Sequence, residues 1–259
     1  MTMSKSMLHT DPKIIVIKLG GSMLEGLDSC FFEALKKYRM EGFQIVIVHG
    51  GGPMINAELA ENNIAYKTVN GIRYTSKEAV GIVQDALVEK VNPFLTKQLK
   101  STSIQAIGLN GIDGSIFESD FLDQNVYGYV GKIKKVHHEK IQSYLLSGQL
   151  PVIACFGATN SGVPLNINGD TVASDIALAI GAEALVLVTD TNGIKIHGEV
   201  QQEVHPEKID QWIESEDIYG GMIPKVTAAI ECLEAGIPEI HIVNQYFEGT
   251  KIAKEGVCL

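Results

Sequence analysis

Cysteine is sparse in this chain of 259 residues. The four that occur, Cys30, Cys155, Cys232 and Cys258, are scattered and form no CxxC pair. That excludes a disulfide frame and a cysteine zinc site, and points to reduced thiols. Basic residues are outnumbered, 21 against 31 acidic, for a net charge of −10. Such a balance argues against nucleic acid and against anionic membrane surfaces as partners. It leaves small anionic ligands open, because a pocket can be basic inside an acidic protein. No apolar run approaches the ~20 residues of a membrane-spanning helix. Residues 1–12 are mostly polar and lack the apolar segment of a signal peptide, so a cytoplasmic location is expected. Three loop motifs are missing as well: a GxxxxGK[ST] phosphate loop, a GxGxxG dinucleotide fingerprint and a GxSxG nucleophile elbow.

What is present is apolar and rich in glycine. Hydrophobic residues make up 45% of the chain, enough for a sizeable core. Apolar runs at 13–19, 44–49, 104–109, 151–155, 184–189 and 239–243 read as strands covered on both faces. Helical patterns fall between them, at 30–41, 54–62, 77–91, 92–100, 138–147, 171–180 and 225–235. Gly181 and Gly236 suit left-handed C-terminal caps, and Pro53 and Pro224 suit first turns. The alternation predicts an α/β fold with a mainly parallel sheet and helices on both faces. Ligands then sit at the carboxyl ends of the strands. Residues 115–136 and 194–204 break the pattern and read as β excursions over a site. With no linker or repeat, the chain is expected to form one compact unit with two functional ends.

Two strands run straight into bare glycine: Lys18-Leu19-Gly20-Gly21 and His49-Gly50-Gly51-Gly52. Glycine lets the backbone approach a ligand, and the amides of such turns ahead of a helix hold negative charge. Lys18 adds a fixed positive charge, so the pair points to phosphate chemistry. The ordinary alternative for the first is a flexible turn with a surface lysine. HGGG also occurs in lipase oxyanion holes, but without an elbow that reading falls, and His49 reads as a structural residue ending a buried strand. Asn166-Ile167-Asn168-Gly169-Asp170 precedes a helix; Asp170 is read as its N-cap, a role compatible with orienting a lysine. Thr189-Asp190-Thr191-Asn192-Gly193 is a strand-ending turn, weak as a signal alone. Gly220-Gly221-Met222-Ile223-Pro224-Lys225 sets another lysine beside a glycine pair at a helix start, where the helix dipole disfavours a cation unless an anion is near. Asn70-Gly71-Ile72-Arg73 offers a guanidinium suited to a carboxylate, though a lone arginine is more often surface decoration.

In order along the chain, IKLGGS, VIVHGGGP, NGIRYT, LNINGD, the TD-x-x-GI loop and GGMIPKV resemble the amino acid kinase family from residue 14 to about residue 243. The resemblance implies a three-layer αβα sandwich around a mainly parallel sheet. It also implies transfer of the ATP γ-phosphoryl group to a carboxylate, carbamate or phosphate oxygen. NGIRYT together with HGGGP turns it toward N-acetyl-L-glutamate. Carried over residue by residue, Lys18 and Lys225 resemble the two transition-state lysines and Asp170 the residue that holds both. Gly51 and Gly52 resemble backbone contacts to the acyl substrate, with Arg73 and Asn166 the clamp on its α-carboxylate. Gly20, Gly21, the loop Asp190, Thr191, Asn192, Gly193, Ile194 and Lys195, and the segment Asp217, Ile218 and Tyr219 resemble the nucleotide contacts. Residues 13–165 would then form the acyl-amino-acid half and 166–259 the nucleotide half of a single domain.

The cofactors implied are ATP and the Mg²⁺ it carries, with no protein metal site. Gly169 stands where the family usually has alanine, and Thr191-Asn192 departs from the family's usual nucleotide loop. The short ends, 1–12 and the segment after Val243, resemble the dimeric, arginine-insensitive type. No general base is needed, because a carboxylate is already nucleophilic at neutral pH and phosphoryl transfer relies on positioning and charge neutralisation. Two alternatives stay open. One is a sibling acting on a longer acid such as N-acetyl-aminoadipate, since one methylene is worth only ~1–3 kcal/mol of discrimination. The other is a non-catalytic binding protein, against which the joint presence of Lys18, Lys225 and Asp170 argues.

Overall fold

Strand Ile14–Leu19 is almost wholly buried apart from Lys18, and it organises the molecule. A computed structural model describes residues 13–113 and 115–254; the expectations for residues 1–12, for Cys258 and for the end of the tail lie outside the described residues. Ile14–Leu19 pairs in parallel with Gln44–His49 on one side and with Ala184–Val188 on the other. Leu150–Ala154 and then Ala106–Leu109 extend the sheet beyond Gln44–His49, and Glu239–Val243 extends it beyond Ala184–Val188, all in parallel. Gly249–Ala253 then turns back antiparallel, and Glu203–Val204 pairs alongside it, completing eight strands. The first strand therefore lies where the strand order reverses, the place in an open α/β sheet where a crevice forms at the carboxyl ends.

Alternation along the strands sends side chains to two separate cores. Val16, Val46, Val48, Ile153 and Leu185 pack with Val172 and Ile176 of helix Gly169–Ala179 and with Val226 and Leu233 of helix Met222–Glu234. Ile15, Ile17, Ile45, Ile47 and Val186 pack on the opposite face against Phe31 and Leu35 of helix Ser29–Met40 and against Leu95 and Leu99 of helix Asn92–Ser101. The result is the expected three-layer αβα sandwich. No helix among the described residues is long and apolar enough to cross a membrane.

The excursion expected at 115–136 contributes strands Phe117–Phe121 and Val130–Val136 to a second sheet with Pro164–Ile167 and Phe156–Ala158. The one expected at 194–204 is a small hairpin, Lys195–Ile196 with Glu199–Val200, after which Glu203–Val204 leaves to join the main sheet. Where two helices are expected at 77–91 and 92–100, the chain runs helically from Lys77 to Ser101. The stretch Asp85–Val91 is a π-helix, and the Asn92 N–H donates five residues back to the Leu87 carbonyl. The wider turn gives the ring of Pro93 room that an α-turn withholds, so the proline does not end the helix. Helix Pro206–Glu214 is an addition to the expected elements.

Candidate functional site

The two glycine turns emerge from adjacent strands and meet. The Gly20 N–H donates to the Val188 carbonyl and the Gly50 N–H to the Leu19 carbonyl, both at 3.3 Å, so each turn is tied to the neighbouring strand end. Gly21 lies against the backbone of Gly51 and Gly52 so closely that a Cβ would have no room. Gly51 is the cap and Gly52 the first residue of helix Gly52–Glu61, with no side chain capping them. Their amides have no partner within the helix and are free for an anion.

Lys18 extends from the first strand into this region, and its Nζ lies 2.9 Å from Asp170 Oδ1. Asp170 is not the helix cap expected from the sequence. Asn168 takes that role, its Oδ1 accepting from the N–H groups of Asp170 and Thr171. Asn168 stands just ahead of the helix, so it meets the orphan amides, and Asp170 in the first turn is left to face Lys18. Lys225 arrives from the start of helix Met222–Glu234. It donates to Thr189 Oγ1 at 2.7 Å and lies 3.3 Å from Asp190 Oδ1. The expectation that Asp170 holds both lysines is thus corrected: Asp170 takes Lys18, while Asp190, beside Thr189 at the strand end that Lys225 reaches, takes Lys225. The hydrogen bond from Thr189, and then Lys225, hold the Asp190 carboxyl below its ordinary range. Lys18, Gly20, Asp170, Thr189 and Lys225 nonetheless line one cavity of about 190 Å³. Two cations face one space beside two glycine turns, an arrangement able to gather negative charge.

Arg73 lies on a hairpin whose turn residues Asn70 and Gly71 both have positive φ, the geometry favoured by Asn-Gly. Its Nη2 donates to Asn56 Oδ1 at 2.5 Å and its guanidinium lies 4.3 Å from the Tyr66 ring centroid. Nη1 is buried and has no protein partner. A buried donor left unpaired is costly, so the site suits an incoming acceptor. Partial burial also lowers the Arg73 pKa from its ordinary value. Asn166 reaches Arg73 through Thr75. Its Nδ2 donates to Thr75 Oγ1, and Thr75 Oγ1 donates to the Arg73 carbonyl. Asn56 and Thr75 are members of this group that sequence reasoning missed. The signal for Asn56 was its place one turn after Gly52 on the same helix.

All nine of the expected residues at 190–195 and 217–219 line a separate cavity of about 340 Å³, joined by Met222. Gly20 and Gly21 stand apart from it, at the meeting of the glycine turns. Gly193 has φ +92°, and a Cβ there would strike Thr250, whose buried Oγ1 accepts from the Ile194 N–H. Asn244 Nδ2 donates to Asn192 Oδ1. The C-terminal hairpin therefore braces the loop, a long-range contribution invisible in the local motif. Thr191 Oγ1, at the wall of this cavity, is buried without a partner, as Arg73 Nη1 is.

The model of the amino acid kinase family matches residues 13–244. The chain is 40% identical over 256 residues to the acetylglutamate kinase of Geobacillus stearothermophilus, covering 95% of this chain and 99% of that one. It is 38% identical over 250 residues to the acetylglutamate kinase of Bacillus subtilis strain 168, covering 93% and 97%. Among solved structures, the Streptococcus mutans UA159 protein smu.665 superposes with a TM-score of 0.84 at 33% identity, over 93% of this chain and 99% of that one. Carbamate kinase from Giardia lamblia shares the fold at a TM-score of 0.65 and 18% identity, covering 95% of this chain and 99% of that one.

Proposed function

The chain belongs to the amino acid kinase family, and from that premise we propose that it transfers the γ-phosphoryl group of ATP to the side-chain carboxylate of N-acetyl-L-glutamate. The products are N-acetylglutamyl 5-phosphate and ADP, in a step of arginine biosynthesis. The observation that carries the reading is the convergence of Lys18 and Lys225 on one cavity beside the fused glycine turns. Identity to acetylglutamate kinases over nearly the whole length supports the choice of acceptor.

Within this reading the acyl substrate lies between the Gly51–Gly52 amides and Arg73. Its α-carboxylate satisfies Arg73 Nη1, with Asn166 alongside. ATP enters as its Mg²⁺ complex through the loop 190–195 and the segment 217–219, where Thr191 Oγ1 awaits a partner. Gly20 and Gly21 meet the phosphate end. The substrate carboxylate attacks the γ-phosphorus, the bond to the β-bridging oxygen breaks, and the electron pair leaves on ADP. No proton moves. Lys18 and Lys225 neutralise charge on the transferring group from two sides, and Asp170 orients Lys18. Residues 13–165 act as the acyl half and 166–259 as the nucleotide half. The enzyme works as a homodimer in the cytoplasm, insensitive to arginine.

The test is an assay with ATP, Mg²⁺ and N-acetyl-L-glutamate in which hydroxylamine traps the acyl phosphate. Hydroxamate formation is expected. Faster turnover of N-acetyl-aminoadipate would move the acceptor to the longer acid. Binding of both substrates without hydroxamate would leave a binding protein. Light scattering with and without millimolar arginine, run beside the kinase assay, checks the dimer and its insensitivity.

A further inference from the structure

His49 is fully buried at the end of its strand, directly before the glycine turn. Its Nδ1 lies 2.9 Å from the Gly50 carbonyl, and its Nε2 lies 3.0 Å from Asn92 Nδ2. Asn92, also buried, directs the same amide nitrogen to the Val152 carbonyl at 2.8 Å. A carbonyl only accepts, so Nδ2 is the NH₂ group and its second hydrogen points at the imidazole. Nε2 must then accept, and the proton of the neutral ring sits on Nδ1, where it donates to Gly50 O. The chain of donors leaves one tautomer and one direction for that carbonyl. Asn92 reaches this place because it follows the π-helical stretch, whose Leu87 side chain lies directly on Gly51.

We propose that His49 and Asn92 are positioning residues that lock the Gly50 carbonyl inward, so that the Gly51 amide, beside that of Gly52, stays aimed at the reacting carboxylate of the acyl substrate. The proposal rests on the reading that these amides hold the acyl substrate. Peptide planarity links the two ends of the lock: fixing the Gly50 C=O also fixes the plane of the Gly51 N–H. A carbonyl free to turn outward would place a partial negative charge where the anionic acceptor has to sit. Lys18 and Lys225 handle the transferred group; His49 acts one layer behind them, on the acceptor, and never touches it.

Two polar variants of similar burial separate positioning from bulk. In His49→Asn the amide N–H lies where Nδ1–H lies and keeps the bond to Gly50 O. In His49→Gln the amide lies nearer the Nε2 position and loses that bond. The expected result is a KM for N-acetyl-L-glutamate raised about tenfold in His49→Gln and within about twofold of wild type in His49→Asn, with the KM for ATP within about twofold in both. Amide hydrogen exchange at 50–52, measured on the protein without substrates, is expected to quicken in His49→Gln and to stay near wild type in His49→Asn. Equal behaviour of the two variants in exchange and in acyl KM overturns the proposal. A wild-type protein that forms no hydroxamate from N-acetyl-L-glutamate removes the functional reading instead, and the exchange comparison alone then decides whether the lock exists.

Discussion

Lys18 and Lys225 face the same cavity yet are held in opposite ways. Lys18 stands on a central strand with its side chain only 19% exposed, and its partner Asp170 lies in the first turn of a helix capped by Asn168. Lys225 stands at the start of a helix, 35% exposed, and its partner Asp190 is 74% exposed at the head of a loop. The first belongs to a floor of buried strands and the second to a rim of loops. A floor is pre-organised by the core beneath it, whereas a rim takes its shape from long-range braces such as Thr250 and Asn244. Charge aimed at a transition state is worth most where it cannot relax. The floor should therefore hold its catalytic lysine the more firmly, while the rim combines a second catalytic lysine with recognition of the nucleotide.

The largest effect is expected from the lysines themselves. Lys18→Ala and Lys225→Ala should each lower kcat by ~10²-fold or more with modest changes in KM, Lys18→Ala being the worse. Steady-state kinetics with both substrates varied checks this. Near wild-type turnover in either variant would end the two-lysine account, and a larger loss in Lys225→Ala would reverse the ranking of floor and rim.

Beneath the floor, burial pushes the His49 pKa down from 6.5 to about 4, against a smaller opposing pull from its bond to Gly50. The unfolded chain therefore takes up the proton first as pH falls. The stability His49 contributes is complete above pH 6.5 and is lost progressively toward pH 4, about 2 kcal/mol of it by pH 5. Denaturant unfolding of wild type and His49→Asn at pH 7 and pH 5 reads the difference. A variant with the same pH dependence as wild type would show that His49 is not held neutral.

Arg73→Lys is expected to raise the KM for N-acetyl-L-glutamate by about tenfold and to leave the KM for ATP within about twofold. Lysine keeps the charge but loses the planar fork that binds Asn56 and leaves Nη1 for substrate. Weakened ATP binding instead would place Arg73 with the nucleotide and invert the two ends. The smallest change should come from Asp190→Asn at the rim. Its exposed ion pair with Lys225 is expected to be worth under about 1 kcal/mol of stability, so the melting temperature should barely move while the KM for ATP rises a few-fold. A large fall in melting temperature would mean that the rim is as rigid as the floor.

Much of the floor was legible in the chain. The parallel strands announce themselves because strands covered on both faces must be apolar throughout, and the glycine turns at 20–21 and 50–52 because few other residues allow such close backbone approach. The rim and the supports were harder to read. Gly249–Ala253 is short and only its last two residues, Ile252 and Ala253, are apolar, so only its pairing with Glu239–Val243 marks it as a strand. Helix Pro206–Glu214 did carry a signal, Ile209, Trp212 and Ile213 at helical spacing behind a first-turn proline, with Ile209 buried.

By itself the sequence determined the layers, the order of the central strands' glycine turns and the residue types able to hold phosphate. Those follow from local rules: period, apolarity and backbone freedom act within a few residues of one another. Tertiary structure alone decided the partners. Asn168 rather than Asp170 caps the helix, Asp190 rather than Asp170 meets Lys225, Asn56 and Thr75 connect to Arg73, and Asn92 reaches His49 across 43 positions. Which donor meets which acceptor depends on distances of a few tenths of an ångström between segments far apart in the chain, and only the packed core sets those distances.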